Sequence, residues 1–272
     1  MSLCVRARTF FPNPFSRPFP SAKRSLILKP TRSFKPHSLN SFSSSSFSAK
    51  IMSSTQTIEH VVLFKVKDGT DPSKVNAMVS GLSGLISLDQ VLHLTAGPLL
   101  RTRSSSLQFT HILHSRYSSK EDLSAYSQHP NHLSVVKESV LPIVEDIMAV
   151  DWVAEDLNGP LSPQPGSALR VTFLKLKENV DDGAKSEIVG VIKAIRDSFG
   201  QINQISVGEN FSPARAKGYS IASLAVFPGL GDLEAVDSNQ ELVNLHKDKV
   251  RDRLESVVVV DYVVPTSQSA SL

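Results

Sequence analysis

The sequence predicts an α+β protein in which two ferredoxin-like β-α-β-β-α-β units form an intramolecular dimeric α+β barrel. Three observations carry this. First, the chain repeats itself: His60-Val-Val-Leu-Phe-Lys-Val-Lys67 matches Arg170-Val-Thr-Phe-Leu-Lys-Leu-Lys177, and Ala149-Val-Asp-Trp-Val153 matches Val259-Val-Asp-Tyr-Val263, both at an offset of 110 residues. Second, strand and helix patterns follow one another in the same order in each copy. Third, Asn158-Gly-Pro-Leu-Ser-Pro-Gln-Pro-Gly166 reads as a linker between them.

The first unit, 58–156, opens with a strand over Ile58–Val66, with Val62, Phe64 and Val66 on one face and Val61 and Leu63 on the other. Asp71-Pro72 supplies a cap and a first-turn proline for a helix reaching about Ile86, along which Val75, Met78, Val79, Leu82 and Ile86 recur at helical spacing. Two strands follow, around Gln90–Ala96 and Leu107–Tyr117, joined by an Arg/Ser-rich turn. A helical region over Lys120–Leu141 is interrupted at Pro130, and the last strand is Ile147–Ala154. After a linker at 157–167 the second unit, 168–265, repeats the order, and a tail at 266–272 ends the chain. Such a unit is a four-stranded antiparallel sheet with both helices on one face. The other face is apolar and must be covered, and two copies in one chain can cover each other. Trp152 is expected in the core or between the units.

Residues 1–58 hold nine Lys/Arg and no Asp or Glu, whereas the rest of the chain holds 20 Lys/Arg against 26 Asp/Glu. The repeats are therefore mildly acidic, which argues against nucleic acid as a partner. No apolar run approaches the roughly 20 residues of a membrane-spanning helix. The lone Cys4 excludes a disulfide framework and a cysteine zinc site. Residues 1–54 are rich in Ser and Arg, the composition of a transit peptide, with a plastid favoured. A second start at Met52 would leave that leader out, and the ending Ser269-Ala270-Ser271-Leu272 is similar to a peroxisomal address.

The segments Glu59-His60-Val-Val-Leu-Phe-Lys-Val-Lys67, Phe109-Thr110-His111, Tyr126-Ser-Gln-His129-Pro130-Asn131-His132 and Val150-Asp151-Trp152 resemble the stress-responsive A/B barrel (Dabb) family. With a leader and two fused units, the chain looks like a plant organellar member. The resemblance implies a barrel protein of the stress response that is either non-enzymatic or binds a small apolar ligand. One plant relative closes an aromatic ring by intramolecular aldol condensation, which supplies the alternative of a polyketide-cyclase-like enzyme. A haem- or quinol-handling monooxygenase is a weaker third reading, because no haem-attachment pattern appears.

Aldol closure needs a base beside a carbonyl and a donor to polarise the acceptor carbonyl. By resemblance, His132 is the base and Tyr126 the donor, with His60, His111 and His129 around the pocket. The bland alternative is that the imidazoles satisfy backbone groups freed by Pro130. A zinc site from His129 and His132 lacks a third ligand. The family also implies magnesium on main-chain carbonyls where the first helix ends, here Leu85-Ile86-Ser87-Leu88-Asp89, with Ile86 and Asp89 as the candidate ligands. Adding 110 maps His60, His111, Tyr126 and His132 onto Arg170, Ile221, Val236 and Leu242. A single site in the first unit is therefore expected, with the second unit kept to complete the barrel.

Overall fold

The structure, a computed structural model, describes residues 56–104, 107–155 and 157–266. The leader with Cys4 and Met52, and the ending Ser269-Ala270-Ser271-Leu272, lie outside the described residues. The first half runs β1 (Thr57–Val66), α1 (Pro72–Gly84), β2 (His93–Pro98), β3 (Arg101–Arg103), β4 (His111–Tyr117), α2 (Lys120–Gln128), α3 (Pro130–Val135) and β5 (Val144–Ala154). The second runs β6 (Ala168–Leu176), α4 (Asp182–Lys193), α5 (Ile195–Ser198), β7 (Gln204–Glu209), β8 (Ile221–Phe227), α6 (Leu230–Ser238), α7 (Gln240–Arg251) and β9 (Leu254–Val263).

Both first helices start on an aspartate, as the sequence predicts for α1. Asp71 accepts the N–H of Ser73 at 2.8 Å ahead of Pro72, and Asp181 accepts that of Ala184 at 2.7 Å. The sheets are ordered β2-β4-β1-β5 and β3-β9-β6-β8-β7, and every pairing is antiparallel. The 110-residue offset holds in the register: His60 lies opposite Ser115 and Asp151, and Arg170 opposite Ala225 and Asp261.

Because strand side chains alternate, each sheet has two apolar faces. Val61, Leu63, Val150 and Trp152 of the first sheet pack with Leu169, Val171, Val260 and Tyr262 of the second, one buried core shared by both halves. The two sheets thus face each other as the repeat requires, and Trp152, fully buried, sits between them. Helices cover the outer faces, α1–α3 over Phe64, Leu113 and Tyr117, and α4–α7 over Leu174, Ile221 and Phe227. Among the described residues no helix is long and apolar enough to cross a membrane.

Two local expectations are corrected, and the expected break at Pro130 is found. The strands placed around 90–96 and 107–117 are shorter and later, His93–Pro98 and His111–Tyr117. The intervening turn is partly strand: β3 crosses to the other half and pairs with β9, Arg101 opposite Asp261, so the second sheet has five strands. The second half returns the gesture more weakly, through a bridge from Asn210 to Trp152 and a bond from the Phe211 N–H to the Asp151 carbonyl. The helical region beyond Lys120 is two helices, since Pro130 has no N–H to continue the first, and it closes on a π-type turn over Val136–Val140. The second half breaks at the matching place too, where Asn239 separates α6 from α7, but with Gln240 in place of Pro130 its second helix runs on for 12 residues.

Candidate functional site

In the first half β1 presents His60 to the helix side of the sheet, directly opposite Asp151 on β5. His60 Nδ1 lies 2.5 Å from Asp151 Oδ1; a carboxylate only accepts, so the imidazole N–H donates. Burial alone would raise the Asp151 pKa, but His60 and a further hydrogen bond from Ser212 hold it below the ordinary value. Above this pair, ring centroids lie 6.3 Å apart for His60 and Tyr126, 5.2 Å for Tyr117 and Tyr126, and 4.6 Å for Tyr126 and His132. His60, Tyr126 and His132 therefore meet in one cluster.

His132 donates from Nδ1 to the Ser127 carbonyl at 3.1 Å, which leaves Nε2 as its lone-pair nitrogen. Burial lowers the His132 pKa, so the ring is neutral at pH 7. Tyr126 is 1% exposed, its pKa raised by burial, and its hydroxyl bonds to Tyr117. His129 caps α3, its Nδ1 accepting the Asn131 N–H at 3.2 Å. In an unbroken helix the Asn131 N–H would bond to the Ser127 carbonyl. Here Pro130 separates them, and His129 satisfies the one while His132 satisfies the other.

His111 stands apart. It lies opposite Phe64, four residues or about 13 Å along the ladder from His60, and its Nδ1 meets Thr110 Oγ1 at 2.9 Å.

Between the sheets lies a second polar group, which no motif announces. Glu59, His114 and Arg116 are all fully buried. Glu59 accepts from His114 Nε2 at 2.7 Å, from Arg116 Nη2 at 2.9 Å and from Ser206 of the other half at 2.9 Å. Arg116 also reaches Gln204 at 2.8 Å and the Leu161 carbonyl at 2.6 Å, pinning the linker. Burial would raise the Glu59 pKa, yet Arg116 and His114 hold it well below the carboxylate range. The arrangement is a staple between halves.

The second half replaces the His60 cluster with an ionic one. Arg170 donates to Asp261 from Nε at 2.8 Å and to Asp237 from Nη1 at 2.7 Å. From β3, Arg101 donates to Asp261 at 2.9 Å and Arg103 to Asp237 at 2.6 Å. Burial would raise the Asp237 pKa, but Arg170 and Arg103 hold it well below the usual range.

Beside these charges a cavity of about 710 Å³ opens between β6–β9 and the helices α4–α7, walled by Ile192, Phe199, Phe227, Val236 and Val243. The second unit, expected to complete the barrel, also carries this cavity. The polar residues of the first cluster are gone, but so is bulk. Leu113, Phe64 and Tyr126 of the first half become Ser223, Leu174 and Val236, and all three line the cavity. Comparing the copies by side-chain volume, rather than by polarity, is the signal that finds it.

The stretch Leu85-Ile86-Ser87-Leu88-Asp89 forms a 3-10 turn over Leu85–Ser87 with Ile86 and Asp89 exposed. The carbonyls of Leu85 and Leu88 already accept the N–H groups of Leu88 and Val91. Magnesium takes about six oxygens, and one surface carboxylate beside half-engaged carbonyls is not a closed cage. Among the described residues no group of three or more His, Cys, Asp or Glu is placed to hold a metal ion.

The Stress responsive A/B Barrel Domain matches residues 58–154 and again 169–264. A stress-response A/B barrel domain-containing protein of Arabidopsis thaliana is 53% identical over 278 residues, covering 99% of this chain and 100% of its own. A second Arabidopsis thaliana protein of the same description is 52% identical over 212 residues, 77% of this chain and 98% of its own. A Fusobacterium nucleatum crystal structure, described as that of a candidate monooxygenase, superposes with a TM-score of 0.56 at 13% identity, covering 79% of this chain and 94% of that one. That likeness is one of fold.

Proposed function

The chain belongs to the stress-responsive A/B barrel family, with two copies of the domain in one polypeptide, and from this we propose that it acts as a non-enzymatic carrier or sensor of a small apolar molecule in the stress response. One observation supports this above the others: the 710 Å³ cavity with its apolar wall in the second half, a size and lining suited to a small ligand. The first-half cluster fits an architectural role better, because both His129 and His132 answer backbone groups left open at Pro130.

Titration with the neutral fluorophore Nile red tests the reading. Wild type should bind one probe per chain. Ser223→Leu, which restores the first half's residue, should abolish binding, while His132→Ala should lower melting temperature and leave binding intact. A Ser223→Leu protein that binds as wild type does would remove the cavity from the proposal.

A cyclase-like reading keeps one supporting observation, the neutral His132 ring against Tyr126. It requires wild type to convert a linear poly-β-ketone to an aromatic ring and His132→Ala to fail. Rate should fall on acidification, as protonated imidazole cannot accept a proton. For magnesium we propose no more than a hydrated ion at Asp89. The address is a proposal too: plastid for the chain with its leader, peroxisome for a form starting at Met52 and ending Ala270-Ser271-Leu272. Fluorescent tags placed separately at each end distinguish them.

A further inference from the structure

Building on the ligand-binding reading, we propose that the cavity's occupant is an amphipathic anion, an apolar body carrying one carboxylate, and that its head group is held by Arg103 of β3, with the charge of Arg170, whose own N–H groups are engaged by Asp237 and Asp261, behind it.

The charge at one end of the cavity supports this. Arg170, Arg103 and Asp237 line that end, Asp261 lies behind Arg170, and Arg101 stands beside them on β3. Three guanidinium groups face two carboxylates, so the group carries one positive charge in excess. Arg101, Arg170 and Asp261 have side chains at most one-third exposed, and Arg103, at 45%, is the member open to solvent and to a ligand. It gives one N–H group to Asp237. A guanidinium has five N–H groups in a planar fork that matches a carboxylate.

The apolar end fits the rest of such a molecule. From Arg170 the cavity follows β6 past Thr172 to Leu174, four residues or about 13 Å, the reach of a medium-chain acyl group. His246 borders the cavity with Nδ1 enclosed and no hydrogen-bond partner, while its Nε2 meets Ser198. A polar atom of this kind can bond to a water or to a hydroxyl on the ligand body.

The site is composite. Its helices and sheet belong to the second half, but Arg101 and Arg103 come from the first, brought over by the three-residue β3. At the mirrored place the residues of the second half that bond to the Trp152 and Asp151 stretch of β5 are Asn210, Phe211 and Ser212, none of them charged. One chain therefore builds one anion subsite.

Isothermal titration with decanoate, 1-decanol and decylamine decides the matter. Decanoate should bind about tenfold tighter than decanol, with decylamine weakest, as expected for a charge-assisted hydrogen bond. In Arg103→Gln the decanoate preference should vanish with decanol binding unchanged; this partly exposed side chain is replaceable without touching the core. Equal binding of decanoate and decanol by wild type overturns the anion assignment and leaves the ligand-binding reading standing. A decanoate preference that survives Arg103→Gln overturns the head-group position. If none of the three binds and none displaces Nile red, the ligand-binding reading falls as well.

Discussion

The two halves share one backbone plan and fill it in opposite ways. Under its helices the first half is packed, with Met78, Leu82, Leu113, Tyr117, Tyr126 and Val140 in one continuous buried cluster. The second half has two clusters there, one around Phe199 and Phe227 and one around Ile188 and Ile221, and the cavity borders both. Between the sheets the contrast reverses. Where the first half places Glu59, His114 and Arg116, the second has Leu169, Leu224 and Val226, all buried and apolar. Between the sheets the first copy is thus polar at three positions where the second is apolar. A fold whose sheet has two covered faces can keep its strands and exchange what lies on either side of them. The comparison also separates what the barrel needs, which both copies have, from what only one copy does.

The largest expected effect comes from making the interior of the first half like that of the second. Glu59→Leu alone strands the Arg116 guanidinium in the core and should cost about 3–5 kcal/mol. Changing all three residues to their second-half counterparts, Glu59→Leu with His114→Leu and Arg116→Val, removes the unpaired charge. The triple variant should lie between neutral and about 4 kcal/mol more stable than wild type. Urea unfolding measures both. A triple variant as unstable as Glu59→Leu would mean that the staple, rather than apolar packing, holds the halves together.

Next in size is an exchange under the helices. Leu113→Ser should open a void in the packed half and cost about 2–5 kcal/mol, by analogy with large-to-small core substitutions. Its mirror, Ser223→Leu, fills existing space and should stabilise by about 0.5–2 kcal/mol. Opposite signs at two positions related by 110 residues would tie the cavity to side-chain volume. If both variants destabilise alike, the second half is tighter than its geometry indicates.

Much of this was legible in the sequence. The 110-residue repeat yielded the two sheets, their pairing within one chain and the place of Trp152, because strand periodicity and register are local and the second copy confirms the first. The His60, Tyr126 and His132 cluster followed from a resemblance and does assemble. The partners were harder. Asp151 was visible within the repeated Val-Asp-Trp and Val-Asp-Tyr, but only strand register shows that it faces His60 and that Asp261 faces Arg170. β3 was hidden, since three residues of Arg-Thr-Arg carry no periodicity and acquire strand form from the β9 edge they meet. The cavity was hidden because an absence of volume has no motif. The Glu59 staple was hidden because its partners, Arg116, Ser206 and Gln204, come from both halves.

The smallest effect concerns pH and the first half's interior. His93 lies against His114, ring centroids 5.1 Å apart, and Nε2 of His93 is enclosed with no partner. Burial, then His114 and Arg116, pull its pKa down to about 3, with Glu59 opposing. Burial lowers His114 too, against the pull of Glu59. A histidine whose folded pKa sits below its unfolded 6.5 binds fewer protons in the native state. Its contribution is therefore fully present above pH 6.5 and is lost as pH falls toward the folded value, at up to about 1.4 kcal/mol per pH unit for each proton. The buried carboxylates act in the same direction, but only below about pH 4.5, so the interval between pH 6.5 and 5 isolates the histidines. The second half again supplies the control, because Gln204 occupies the place of His93, opposite Val226 as His93 is opposite Arg116. His93→Gln should remove one histidine's share of the stability slope in that interval, leaving the shares of His114, His111, His132 and His246, whose burial also lowers their pKa values. Stability measured by urea unfolding at pH 6.5, 5.75 and 5 would show it. An unchanged slope would mean that His93 takes up its proton without leaving the fold, and that the Glu59 carboxylate, rather than burial, governs its charge.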